Sequence, residues 1–195
     1  GLEVTGYDLR CLKTTALSFA VSFRGADHNR SGAYTIDLTG KFDPMKAEKG
    51  RGKLVKESED IFALIDSLII CKNAKGTLYK ELSDMAKLYS LVTGYEMTTE
   101  ELKFAGERIN NLARLINVRE GFSRKDDTLP WKVMNLPVPD DGPSKGAVVT
   151  QEELDVLLDD YYQARGWDVQ GIPTKAKLQE LGLQDYLSMV EQKEA

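Results

Sequence analysis

The chain has 195 residues, 42% of them hydrophobic, with 26 Lys and Arg against 31 Asp and Glu. That supplies enough apolar material for a core, which excludes a wholly disordered chain, and a net charge of −5 argues against a general nucleic-acid binder. No apolar run approaches the roughly 20 residues of a membrane span, and two cysteines suit a reducing cytoplasm better than a disulfide framework.

The chain opens on Gly-Leu-Glu-Val, with neither a Met nor a signal-peptide pattern, and reads as starting inside a longer protein. Leu12 to Phe23 is apolar with small residues interspersed, which suits a buried helix stopped at Arg24-Gly25-Ala26-Asp27-His28. Ala33 to Leu38 alternates as a strand would and is the one plausible strand. Leu54, Ile61, Leu64, Ile65 and Leu68 fall near one stripe of a helix over Lys53 to Leu68, with Glu57, Glu59 and Asp60 opposite. Leu78, Leu82, Met85, Leu88 and Tyr89 repeat that pattern up to Gly94. Thr98-Thr99-Glu100-Glu101 is a capping box, opening a helix whose apolar face lasts to about Val118.

Residues 135–149 hold three of the six prolines and form a connector. Thr150 and Glu153 make a second capping box for a helix through Tyr161 and Tyr162. A last helix starts at Thr174 and ends near Gly182. The expected fold class is all-α: an irregular multi-helix body over 1–134, the connector 135–149, and a C-terminal helical subdomain over 150–195 packed on the first. Acidity is concentrated in the last segment, where ten Asp and Glu face four Lys and Arg. The acidic run Glu152 to Asp160 is expected to be a solvated helix face.

A few side chains carry chemistry. Cys71 follows the apolar helix and precedes Lys72, so it is either a small buried hydrophobe or a thiolate ligand favoured by nearby cations. Asp66 near the end of that helix is either a solvated residue or a carboxylate with donors to satisfy. His28, the sole histidine, lies between Arg24 and Arg30, which favour its neutral form. It is either a base or a helix-end residue bonded to a carbonyl. Arg119, Arg124, Lys125, Asp126 and Asp127 form either an ion-pair knot or a grip for phosphate or carboxylate. Tyr161, Tyr162, Trp167 and Trp131 are expected to be packing anchors. No Gly-rich phosphate loop and no nucleophile elbow occurs.

Four ordered stretches resemble one family, the tungsten-containing aldehyde ferredoxin oxidoreductases, in its C-terminal helical portion. They are Tyr7-Asp8-Leu9-Arg10 with Ala16 to Ala20 and Arg24-Gly25-Ala26-Asp27-His28-x-Arg30; Phe62 to Leu68 leading into Cys71-Lys72; Asn117 to Pro130; and Tyr161-Tyr162 through Arg165-Gly166-Trp167-Asp168 to Leu183. The resemblance implies oxidation of an aldehyde to a carboxylic acid at tungsten (or molybdenum) held by two pterins. Electrons would pass through a [4Fe-4S] cluster to ferredoxin. It makes Cys71 the fourth cluster ligand, places Asp66 and Ile70 in the pterin-contacting motif, and gives His28 a part in proton transfer near the metal. Ile69-Ile70 stands where the family usually carries Gly-Leu.

The implied partners are a small aldehyde, ferredoxin and the N-terminal domains of the same chain, with no nucleic acid and no membrane span, and with a homodimer left open. The three other cluster cysteines and the β-rich cofactor cradle are absent from these residues, so the piece alone is expected to be colourless, metal-free and inactive. The alternative is a non-catalytic helical interaction module related to the same family.

Overall fold

A computed structural model describes residues 4–74 and 76–191 and is all-α. In chain order the helices are α1 (Lys13–Val21), α2 (Tyr34–Leu38), α3 (Arg51–Ser67), α4 (Leu82–Thr93), α5 (Thr99–Arg119), α6 (Trp131–Asn135), α7 (Gln151–Arg165), α8 (Lys175–Glu180) and α9 (Ser188–Glu191). An isolated antiparallel bridge pairs Trp167 with Pro173.

α1 is buried along its whole length, its polar Lys13, Thr14, Thr15 and Ser18 included. It packs with α7 through Leu17, Ala20, Leu154, Leu157, Leu158 and Tyr161 in the main core. A second core joins the end of α3 to α4 and α5 through Leu64, Ile65, Met85, Ala86 and Leu102. A third seats α8 under α5 through Leu115, Leu178 and Leu181. Both expected capping boxes form: Thr98 with Glu101 at α5 and Thr150 with Glu153 at α7. A third, Glu81 with Asp84, opens α4.

Residues 33–38 are not a strand. A strand with one apolar face would bury Leu38 and expose its neighbour, yet Leu38 is 64% exposed while Asp37 is 2% exposed. Asp37 decides the conformation, because its carboxylate accepts from the Thr15 amide (2.9 Å) and hydroxyl (2.8 Å) at the start of α1. The positive end of that helix favours an anion there. Arg51, fully buried, donates to Asp37 (3.1 Å), to the Thr14 hydroxyl (2.6 Å) and to the Asp43 carbonyl (2.7 Å). This pair ties α1, α2 and α3 together, and a helical turn is what brings Asp37 to it.

α3 is the central element, clasped by α7 on one side and α5 on the other. Two glycines permit the approach. A Cβ at Gly52 would lie 2.3 Å from the Tyr161 amide nitrogen, and one at Gly106 would lie 2.5 Å from the Asp60 carbonyl oxygen. Asp160 of α7 accepts from the amides of Gly50 (2.8 Å) and Gly52 (2.6 Å), capping α3 from a neighbouring helix. Arg165, also fully buried, donates to Asp60 (2.6 Å) and Glu59 (2.6 Å) on α3, and the Tyr161 hydroxyl donates to Glu59 (2.6 Å). Burial pushes the Glu59 carboxyl above its ordinary range, with the Arg165 charge opposing.

The acidic face of α7 is therefore not merely solvated. Beside Asp160, Glu153 accepts from the buried Lys13 (2.6 Å), and Asp155 and Asp159 accept from Arg124 (2.9 and 2.6 Å). Tyr161, Tyr162 and Trp167 are buried anchors in mutual aromatic contact. Trp131 is not, being 71% exposed at the start of the short α6.

Candidate functional site

The site begins where α3 stops. The Ile70 amide donates to the Ile65 carbonyl (3.0 Å) and the Ile69 amide to the Asp66 carbonyl (3.1 Å), the two bonds of a Schellman stop. That stop needs a left-handed residue at its turning point, and glycine is the usual choice. Here Ile69 fills it with φ +57°, its side chain 93% exposed. The backbone thus takes a glycine-like course although a β-branched residue stands there. Ile70 is half-buried and packs against the second core, which pins the stop from below. Cys71 is exposed with a free thiol. The buried-hydrophobe reading of this cysteine is thereby displaced.

Asp66, the last acidic residue of α3, has a side chain 48% exposed. Its Oδ2 accepts from Nη1 of Arg30; Oδ1 takes no hydrogen bond from the described residues. Arg30 belongs to a 3-10 turn, His28–Arg30, capped by the Asp27 carboxylate, which accepts from the Asn29 amide (2.8 Å). Its guanidinium lies 4.4 Å over the Phe23 ring and is 8% exposed, and burial lowers its pKa. One residue along the turn, the Asn29 side-chain oxygen accepts from Lys72, next to Cys71. Two distant stretches of sequence thereby meet: the His28–Arg30 turn holds the chain just before and just after the α3 stop.

His28 sits on the same turn with its ring facing elsewhere. It lies beside the stacked pair of Tyr7 and Tyr34, whose ring centres are 4.7 Å apart, at 5.7 Å from each and tilted by 59°. Its Nδ1 is buried without a hydrogen-bond partner among the described residues, so no carbonyl bond fixes that nitrogen. Among the described residues no group of three or more His, Cys, Asp or Glu side chains is placed to hold a metal ion. What the α3 edge offers is one exposed thiol and one half-free carboxylate. This donor set suits one corner of a cluster and one edge of a donor-rich ring, each completed from outside these residues.

The other candidate cluster is a structural knot. Arg124 pairs with Asp155 and Asp159, Arg119 with the adjacent Glu120 (2.8 Å), and Asp126 accepts from the Ser123 amide (2.9 Å). Asp127 is buried and forked by Arg114 (2.7 and 2.6 Å), with the Tyr162 hydroxyl also donating to it. A cleft of about 530 Å³ lies beside this knot, walled by Phe19, Phe23, Phe122 and Leu129. It includes none of His28, Asp66 and Cys71.

Sequence reasoning missed Arg30 and Asn29 as partners of the α3 edge. Arg30 enters the sequence reading as a cation flanking His28 and as the end of a family-like stretch, and nothing local marks a contact 36 residues along the chain. Arg114 was missed likewise; its spacing from Asp127 on an adjoining loop carries no periodic signal.

Comparison with known proteins bears on the chain as a whole. The family model described as aldehyde ferredoxin oxidoreductase, domains 2 and 3, matches residues 1–183. The chain belongs to the aldehyde ferredoxin oxidoreductase family. It is 34% identical to the tungsten-containing aldehyde ferredoxin oxidoreductase of Pyrococcus furiosus over 95% of its own length and 30% of that protein's. The corresponding enzyme of Thermococcus kodakarensis is 32% identical over the same shares. An aliphatic sulfonate oxidoreductase, WOR-like subunit, of Pyrococcus furiosus is 30% identical over 87% of this chain and 25% of its own. Among solved structures, the active-site complex BamBC of benzoyl coenzyme A reductase with 1,5-dienoyl-CoA superposes with a TM-score of 0.58 at 29% identity. That likeness covers 74% of this chain and 21% of that one. The chain thus spans about 30% of the length of the curated family members it matches.

Proposed function

We propose that this chain is the C-terminal part of an oxidoreductase that oxidises aldehydes to carboxylic acids at a tungsten-bispterin centre and passes electrons through a [4Fe-4S] cluster to ferredoxin. The observation that carries the reading is the α3 stop, which presents Asp66 and Cys71 together on one exposed edge of a chain homologous to such enzymes over 95% of its length. The N-terminal domains of the same protein supply the rest of the cofactor pocket.

In this reading Cys71 is the fourth cluster ligand: an exposed thiolate at the rigid end of a helix, beside the cation of Lys72. Asp66 offers Oδ1, which takes no hydrogen bond from the described residues, to the N–H groups along the pterin edge, because a carboxylate accepts well from such donors. Ile70 buttresses both from the core. The bound tungsten cofactor supplies the two-electron chemistry of aldehyde oxidation. The buried Nδ1 of His28, unpartnered among the described residues, is the atom that takes up or passes a proton released in the reaction. Its ring packs at a tilt against the stacked Tyr7–Tyr34 pair.

The test is Cys71→Ser in the full-length protein. The iron-sulfur absorbance and its EPR signal are expected to be lost or to decay rapidly, and an unchanged spectrum refutes the assignment. The 195-residue chain by itself is expected to be colourless, and stoichiometric iron with brown absorbance in it would refute the one-corner role.

A further inference from the structure

We propose that Arg30 is the positioning residue for Asp66, setting the carboxylate so that Oδ2 is anchored and Oδ1 is presented outward to the pterin edge. The inference deepens the reading of Asp66 given above and rests on it. It stands on an asymmetry in the Arg30–Asp66 pair. Arg30 is the fixed member: it is 8% exposed, stacked over Phe23 and carried on a turn closed by the Asp27 cap. Asp66 is the free member, with a half-exposed side chain at the last turn of α3. A carboxylate at such a helix end samples several rotamers unless something holds it. A fixed cation selects one of them.

Two further observations make this more than a surface ion pair. First, the contact is single-pronged. Among the described residues only Oδ2 is engaged and Arg30 Nε is buried without a partner, where a pair built only to knit two elements would favour the forked geometry seen between Arg114 and Asp127. The single prong leaves one carboxylate oxygen uncommitted. Second, the same turn holds the chain beyond the stop through Asn29 and Lys72. Residues 66 and 72 are therefore both referenced to one three-residue turn, and Ile69, Ile70 and Cys71 lie between two anchored points. A supporting residue of this kind typically changes ligand affinity by about 10- to 100-fold when removed.

The experiment uses the full-length enzyme and reads cofactor content, not turnover. Pterin is released, oxidised and measured by fluorescence per mole of protein for Arg30→Gln, Arg30→Lys, Asp66→Asn and Asp66→Glu. Thermal unfolding is recorded on the same preparations. Arg30→Gln is expected to lower pterin content or raise its dissociation rate about tenfold, and Arg30→Lys, which keeps the cation, to recover at least half of the loss. Wild-type pterin retention in Arg30→Gln overturns the inference. So does a loss that Arg30→Lys fails to rescue and that follows the unfolding midpoint.

Asp66→Asn separates the two levels. Depletion there with intact Arg30→Gln overturns the positioning role alone, whereas no depletion in Asp66→Asn overturns the reading of Asp66 and the inference with it. Should Arg30→Gln fail to fold, Asp66→Glu decides. It keeps the charge but moves the free oxygen by one methylene. Tenfold depletion supports positioning, and near-normal content overturns it.

Discussion

Replacing Ile69 by glycine is expected to stabilise this chain, although a large apolar side chain is removed. The backbone at 69 is left-handed, with φ +57°. That region costs an ordinary L-residue about 1–2 kcal/mol, and a β-branched side chain is among the least tolerant there. Nothing is lost in burial, because the Ile69 side chain is 93% exposed. Against the relief stands the greater freedom of glycine in the unfolded chain, worth roughly 0.5–1 kcal/mol. The net gain expected for Ile69→Gly is thus about 0.5–1 kcal/mol. At this chain length that corresponds to a melting-point rise of roughly 1–4 °C. Urea denaturation is the more direct assay: the midpoint should rise with an unchanged slope, since no surface is added to or removed from the unfolding transition. Ile69→Ala should fall between parent and glycine, because it removes the β-branch while keeping a Cβ. If Ile69→Gly is no more stable than the parent, the strain argument for this stop is wrong.

Three further outcomes check the packing and the electrostatics. Gly52→Ala, which intrinsic helix preference alone would favour by about 1 kcal/mol, is expected instead to cost about 2–3 kcal/mol in urea unfolding. The new methyl group would meet the backbone of Tyr161, so a stabilised variant would mean that α3 and α7 are not this close. Arg165→Met, which strips Glu59 of its buried cation and leaves Asp60 paired with Lys56 (2.9 Å), should lose about 3–5 kcal/mol. Arg124→Ala, whose acidic partners are half-exposed or more, should change stability by no more than about 1 kcal/mol; equal losses in the two would refute the distinction. Hydrogen bonds from the Thr98 amide and hydroxyl hold the Glu101 carboxyl below its ordinary 4.5. A depressed folded pKa gives stability that is complete above 4.5 and lost as pH falls through the lowered value. In acid titrations followed by circular dichroism, Glu101→Gln should flatten that part of the curve, and an unaltered acid limb would count against the cap.

How much of this was legible in the sequence depends on how local the deciding interaction is. The capping boxes at Thr98 and Thr150 lie within four residues of sequence, and both helices start where those residues place them. The family stretches were legible for the same reason, as contiguous strings. Asp37 shows the opposite case. Its alternating neighbourhood reads as a strand, but its conformation is dictated by Thr15 and Arg51, which reach it from different helices. Asp160 and Glu153 read as solvated for an equivalent reason, since their partners Gly52 and Lys13 lie more than a hundred residues away. At the α3 edge the sequence supplied Asp66 and Cys71 but not the turn that holds them. Nothing in the Asp27-His28-Asn29-Arg30 string reveals what Arg30 and Asn29 will face. Nor does a sequence pattern show that Ile69 would adopt the course of the glycine it replaces.

The two glycine contacts on α3 bear on mechanical precision. Gly52 and Asp66 are about 21 Å apart along the helix, at about 1.5 Å per residue. A rod hinged at one point only would swing its far end by roughly 0.4 Å for each degree of tilt. That is close to the whole tolerance, of about 0.5 Å, within which a working constellation must be held. Contact at Gly52 fixes the near end against α7, and contact of Gly106 with Asp60 fixes a second point just past the middle of that span. A rod held at two separated points has little angular play left. The aim of its tip, where Asp66 and Cys71 stand, is therefore governed from residues far behind it. A methyl group added at either glycine would act as a shim, shifting the tip without touching it.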